Sequence, residues 1–311
     1  MFLQRNISLL ASTVQQPYTV TYLVIAGGGA GGTRANSSDY YLGSGGAGGF
    51  VTGSFTAQPG TTYSIDVGNG GTRNSNVNSN WTKGDNGNNS TILGGTLTTI
   101  TATGGGAGGL FDHPSLNPNY PNDVNAGASG GSGGGGTNWN NETDGAGGAT
   151  VAATGTGITT TVQGYAGGNG VAAGDSAGAG GGGAGSAGQS PSGTGAKNGG
   201  VGGAGKTSTI TGISRYYSAG AGGGKGWSGT AGGTGSDGTG YQGSDNTGDG
   251  GGAGLTTDSA VNGNSGVVIL QFDDTVTGYS TVGAPSEDPE GASTPSGKKV
   301  LKYTGDGSFT A

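Results

Sequence analysis

The 311-residue chain has no cysteine, one histidine (His113) and one methionine, and only 9% of its residues are charged. Without cysteine there is no disulfide framework and no thiolate metal site. A lone histidine, set in the proline-punctuated stretch 111–124, reads as a loop residue rather than as a metal or acid–base centre. Cations are few and the net charge is −7. No basic patch is therefore available for phosphates, which excludes nucleic acid as a partner. No apolar run approaches the ~18 residues of a membrane span. Met1–Ser12 (MFLQRNISLLAS) lacks the apolar core of a secretory signal. Leu, Ile, Val and Phe together come to about 14% of the chain, below what a conventional core requires.

What the chain has in abundance is glycine, 81 residues, gathered into short runs. They lie at 27–32 (GGGAGG), 43–49, 104–109, 127–136, 178–185, 199–205, 220–226, 229–235 and 248–254. Glycine loses more backbone freedom on folding than any other residue, so the tracts must gain something that only glycine permits. Lacking Cβ, they can lie side by side and bond backbone to backbone. Collagen uses that logic, but its strict G-X-Y period is missing here and nine prolines are too few.

Between the tracts lie strand-like segments. Residues 18–26 (YTVTYLVIA) and 266–272 (GVVILQF) are apolar and β-branched, while 50–57 and 61–67 alternate. Shorter candidates are 97–103, 158–163 and 298–304. Helix is nearly excluded, because glycine breaks almost every window of helical length. The weakly apolar 4–14 is the one stretch that could form a turn or two. The expected fold is all-β with extended, three-fold polyglycine helices: a β-sandwich-like framework plus a glycine-helix bundle. A six-residue tract would span roughly 19 Å. Ala30, Ala47, Ala107 and Ala184 would face outward or fill gaps in the bundle. Residues 1–16 read as an N-terminal docking arm, 17–272 as the glycine-rich domain, and 273–311 as a C-terminal strand pair. In that last part 286–297 is an acidic loop, and 298–311 reads as a hairpin turning at Gly305-Asp306-Gly307.

Three motif imitations are present. GVGGAGKT (200–207) fits the Walker A pattern, yet no strand precedes it and no helix follows. VIAGGGAGG (24–32) imitates the dinucleotide fingerprint, but TRANSSDYYL after it is no helix, and glycine frequency alone produces such spacings. GGTGSDGTG (232–240) resembles one calcium-binding nonapeptide without the tandem it needs. Asp85, Glu142, Asp144, Asp237, Asp245 and Asp249 sit in Asn/Gly-rich settings where a turn role is the ordinary one. The reading is non-enzymatic, with no catalytic residue, no cofactor and no metal; a nucleotide-binding enzyme is the remote alternative.

If glycine is scaffold, recognition belongs to the insertions 33–42, 72–83, 110–126, 137–144 and 207–217. These concentrate aromatics beside Asn, Ser, Thr and Asp. Candidate contact residues are Tyr40, Tyr41, Trp81, Tyr120, Trp139 and Trp227, with Tyr216 and Tyr217 in the last insertion. Aromatic faces beside amide groups suit a saccharide or a protein loop; equally, such rings can cover glycine surfaces. Ile7, Leu9 and Leu10 form a small apolar patch suited to docking on a neighbouring subunit.

The blocks YLVIAGGGAGG (22–32), GTTYSIDVGNGG (60–71), ATGGGAGG (102–109) and GNSGVVILQF (263–272) follow one another in an order that resembles the glycine-rich domain of bacteriophage tail fibres, adhesins and related virion surface proteins. The tail 276–311 resembles the strand pair that commonly follows that domain. The resemblance implies a virion surface location and two functional classes. One is a tail fibre or adhesin contacting a glycan or protein of the host surface. The other is a capsid or tail decoration protein contacting other virion subunits. It is compatible with a homo-oligomer, a trimer included.

Overall fold

The computed structural model describes residues 15–32, 42–73, 83–110, 125–138, 146–160, 162–171, 177–226, 229–231, 246–253, 262–289 and 291–311. Among these the chain is all-β, with multiple antiparallel sheets and two short 3-10 turns, Thr194–Ala196 and Gly291–Ser293. The strands are β1 (Tyr18–Ile25), β2 (Phe50–Ala57), β3 (Thr62–Asp66), β4 (Ser90–Gly94), β5 (Ile100–Ala102), β6 (Lys206–Ser208), β7 (Arg215–Tyr217), β8 (Val267–Asp273), β9 (Ser280–Val282), β10 (Ser286–Glu287), β11 (Lys298–Tyr303) and β12 (Gly307–Thr310). One five-stranded sheet runs β10-β11-β8-β1-β2, the other β5-β4-β3-β12-β9, and β6-β7 form a separate ribbon.

The two large sheets share one core. Val20, Tyr22, Val24, Phe272 and Leu301 from the first meet Tyr63, Ile65, Ile92, Ile100 and Phe309 from the second. Rings span the two sheets, with Phe55 and Tyr63 at 4.9 Å between centroids and Phe272 and Phe309 at 5.5 Å. β3 alternates exposed and buried residues because one of its faces meets this core. The second half of β1 and most of β8 are apolar on both faces for a different reason. Leu23, Ile25, Val267, Ile269 and Val300 point the other way, under Tyr217 of the ribbon and Ala184.

The C-terminal strands are not a hairpin. β11 pairs with β8 and β10, whereas β12 pairs with β3 and β9, so the turn at 304–306 passes from one sheet to the other. Asp306 Oδ1 secures that turn by accepting the Val67 amide at 2.8 Å. The segment 286–297 is partly strand, since Ser286–Glu287 pairs with β11. Lys299 Nζ bridges Glu287 at 2.8 Å and Asp288 at 3.0 Å, and those contacts hold its ammonium charged well above the ordinary lysine range. The described residues of 158–163 form no strand: Ile158 makes an isolated bridge to Gly53 on β2, and the described residues around it follow that strand's outer edge. The expectation for 4–14 lies outside the described residues.

Among the described residues the glycine tracts lie outside the named strands, yet most of their amides are bonded. Along 43–49, Gly43, Gly46 and Gly49 donate to the carbonyls of Gly109, Gly106 and Thr103. Ser44 and Ala47 donate to Ala179 and Gly182, and Gly45 and Gly48 to Gly251 and Gly248. The donors therefore rotate among three neighbours every three residues. The carbonyls follow the same rule. Those of Gly43, Gly46 and Gly49 accept from Gly32, Gly29 and Ala26, those of Ser44 and Ala47 from Gly135 and Ser132, and that of Gly45 from Ala221. Segment 43–49 thus lies among six others. Segment 178–185 repeats the pattern: Gly178, Gly181 and Ala184 donate to Gly224, Ala221 and Ser218, Ala179 and Gly182 to Gly136 and Gly133, and Gly180 and Gly183 to Gln189 and Ser186.

Such spacing leaves no room for side chains. A Cβ at Gly45 would fall on the carbonyl of Gly29, one at Gly46 on that of Gly133, and one at Gly48 on that of Ala26. The alanines do not face outward: Ala30, Ala47, Ala107 and Ala184 are all buried. Side-chain carbonyls also accept from tract amides. Asn89 Oδ1 accepts from Gly104 and Asn86 Oδ1 from Ala107, three residues apart on both sides. Gln163 joins bundle to sheet: its Oε1 accepts from Thr103 at 2.9 Å, and its Nε2 donates to Val151 O at 2.6 Å.

Candidate functional site

Segment 26–32 leaves β1 and segment 43–49 enters β2, so residues 26 and 49 mark the sheet end of the bundle and 32 and 43 the far end. Hydrogen bonds carry that level across the bundle. Gly32 donates to Gly43, Gly43 to Gly109, and Gly109 to Gly135. Ala179 donates to Gly136, Gly136 to Gly168, and Gly224 to Leu42. On the other side Asp85 donates to Thr72, and the Arg73 amide to Asn262 Oδ1 at 2.8 Å. The described residues bordering 33–41, 74–82, 111–124, 139–145, 172–176, 227–228 and 254–261 therefore all belong to the end farthest from the sheets.

Tyr40, Tyr41, Trp81, Tyr120, Trp139 and Trp227 belong to these segments and lie outside the described residues, as do Ile7, Leu9 and Leu10. His113, Glu142, Asp144, Asp237, Asp245 and the nonapeptide 232–240 lie outside them too. In 207–217, Tyr217 is buried on the first sheet and Tyr216 is exposed. Asp249 is buried, its Oδ1 accepting from Ala219 at 2.8 Å and its Oδ2 from Thr247 Oγ1 at 2.6 Å, a structural role. Asp85 accepts the Thr72 hydroxyl. Among the described residues no group of three His, Asp or Glu side chains could hold a metal, and no helix is long and apolar enough to cross a membrane.

The two phosphate-loop imitations meet a different fate from a phosphate site. Gly200 and Gly203 donate to Gly178 and Gly181, and Ala204 to Ser186 Oγ, so these amides are committed to the bundle. Lys206 begins β6, and its Nζ stands 5.2 Å from the centre of the Phe50 ring. In 24–32, Gly27, Gly28, Gly29 and Gly32 likewise donate to carbonyls of other segments.

Lys206 instead borders a half-open groove of about 450 Å³ where the bundle meets the outer edge of β2. Thr52, Thr159, Thr160, Val162, Tyr165, Ala184 and Gly185 complete its lining. The threonines are linked. Thr52 N donates to Thr160 Oγ1 at 2.9 Å, Thr159 Oγ1 donates to Thr52 O at 3.0 Å, and Thr52 Oγ1 lies 2.8 Å from Thr160 Oγ1 and 3.1 Å from Thr159 Oγ1. Tyr165, 40% exposed, and Val162, 46% exposed, are two of the few large apolar side chains left to solvent. The sequence signal for this site is Tyr165, a single ring inside a glycine run (QGYAGG).

A search of curated proteins returns no match. The sequence profile described as the glycine-rich domain matches residues 8–273, most of the chain, and the protein belongs to that family.

Proposed function

We propose that the glycine segments are extended helices with three residues per turn, packed laterally on a β-sandwich, and that this bundle is a rigid mount for the insertions at its far end. The threefold rotation of hydrogen-bond partners supports the helix, because three residues per turn returns each amide to the same neighbour. In this reading the protein is a non-enzymatic bacteriophage virion surface protein of the tail-fibre or adhesin type. It attaches to a glycan or protein of the host surface through the insertions and to other virion subunits through residues 1–16.

The observation that carries the reading is the shared level of the residues bordering the insertions. Chain segments remote in sequence come to one end of a scaffold whose own atoms are committed to each other, and loops on rigid scaffolds usually carry recognition. The ordered glycine blocks that resemble phage surface proteins supply the virion setting. The test is a particle carrying Trp81→Ala and Trp139→Ala. Normal incorporation with reduced adsorption to host cells is expected. Normal adsorption would contradict the adhesin role and favour a decoration protein. Deleting residues 1–16 is expected to block incorporation while the isolated protein still folds.

A further inference from the structure

We infer that the groove between β2 and the bundle is a binding site for an acidic saccharide, a pyranose bearing a carboxylate. It lies at the sheet end, away from the insertions at the far end, and does not rest on the attachment reading. Three features converge there. Lys206, an exposed residue, supplies a cation, its Nζ standing over the Phe50 ring. Tyr165 supplies an aromatic surface left to solvent although most rings among the described residues are buried, and sugars present C–H faces that stack on such rings. The volume, about 450 Å³, falls within the range of small-molecule sites and admits about one or two pyranose rings.

The threonines choose between a sugar acid and a bare anion. With Thr159 Oγ1 donating to Thr52 O, all three contacts are satisfied together when Thr52 Oγ1 donates to Thr159 Oγ1 and Thr160 Oγ1 to Thr52 Oγ1. Thr160 Oγ1 also accepts the Thr52 amide. Each hydroxyl oxygen keeps one lone pair and no uncommitted proton. The cluster thus offers acceptors. Sugar hydroxyls can donate to them while a carboxylate accepts from Lys206. A simple anion could use the lysine alone, and a neutral sugar would leave the lysine without its ion pair.

The experiment is an amide-detected NMR titration of the full chain with glucuronic acid, methyl glucoside and inorganic phosphate in separate arms. Glucuronic acid is expected to shift Thr52, Thr159 and Lys206 saturably. Methyl glucoside should bind about ten-fold more weakly, and phosphate should not displace the sugar acid. Lys206→Gln should weaken glucuronic acid about ten-fold and leave the weak methyl glucoside response unchanged. Tyr165→Ser should weaken both sugars, with amide shifts remote from the groove confirming that each variant is folded. Absence of saturable shifts, unchanged affinity in Lys206→Gln, or displacement by phosphate would overturn the assignment.

Discussion

Tyr22 and Gly46 are equally sealed from water, but different forces bury them. Tyr22 belongs to a core of side chains between two sheets, and its hydroxyl donates to Thr156 O at 2.8 Å. Around it, stability comes from apolar area removed from water. Gly46 has no side chain to bury. Its amide reaches Gly106, its carbonyl accepts from Gly29, and its α-carbon lies against other backbones. There the entropy lost by ordering glycine is offset by dense backbone bonding and close contact. The first region tolerates a change of side chain if volume is conserved; the second tolerates almost no side chain at all.

Gly46→Val, or Gly181→Val, should have the largest effect, because the new Cβ falls on carbonyls of neighbouring segments with no flexible group to yield. The expected loss exceeds about 4 kcal/mol, enough to prevent recovery of folded protein, as read by expression and chemical denaturation. Phe309→Ala removes a ring from the core between the sheets and should cost about 3–5 kcal/mol on the same assay. If the valine variants were milder than the Phe309 variant, the contrast drawn here would fail.

Alkali should act on the sheets rather than the bundle. Burial pushes the hydroxyls of Tyr18 and Tyr22 from 10.0 up to about 12. In the fold they keep protons that the unfolded chain gives up, so their contribution is complete below pH 10 and is lost as pH rises towards 12. Thermal melts across that window should show a falling Tm, and Tyr22→Phe should flatten the fall.

Two buried serines sharpen the comparison inside the bundle. Ser44 Oγ donates to Ala221 O at 2.6 Å and accepts the Gly181 amide at 2.7 Å, so Ser44→Ala should cost about 1–3 kcal/mol. Ser132 Oγ, also buried, has no partner, and Ser132→Ala should be neutral or slightly stabilising. Gly305→Ala should be comparably small, within about 0.5 kcal/mol, because nothing lies near its missing Cβ.

The difference between the regions also explains what could be read from the sequence. β1, β2, β3, β8 and β11 were legible because branched and aromatic residues recur along them with strand periodicity. β4 was not, since STILG is short and flanked by Asn and Gly; nor were β9 and β10, which are brief and exposed. The apparent C-terminal hairpin misled because Gly305-Asp306-Gly307 has turn chemistry whichever sheet follows. Lateral bonding of the tracts followed from glycine's missing Cβ. Their pairing did not, because one glycine run carries no side-chain mark that selects its neighbour. Asn86 and Asn89 are such marks in retrospect, their three-residue spacing matching that of the amides they receive. The groove escaped notice because its threonines, Tyr165 and Lys206 are scattered from 52 to 206 and converge only through the bundle.

The central claim is that backbone bonding makes the glycine segments as ordered as the sheets. Native-state amide hydrogen exchange, resolved by residue, tests it most directly. The account predicts that Gly43, Gly45, Gly46 and Gly48, with Gly180–Gly183, exchange as slowly as the paired amides of β1 and β8. Rapid exchange throughout both segments, beside protected strands, would contradict it.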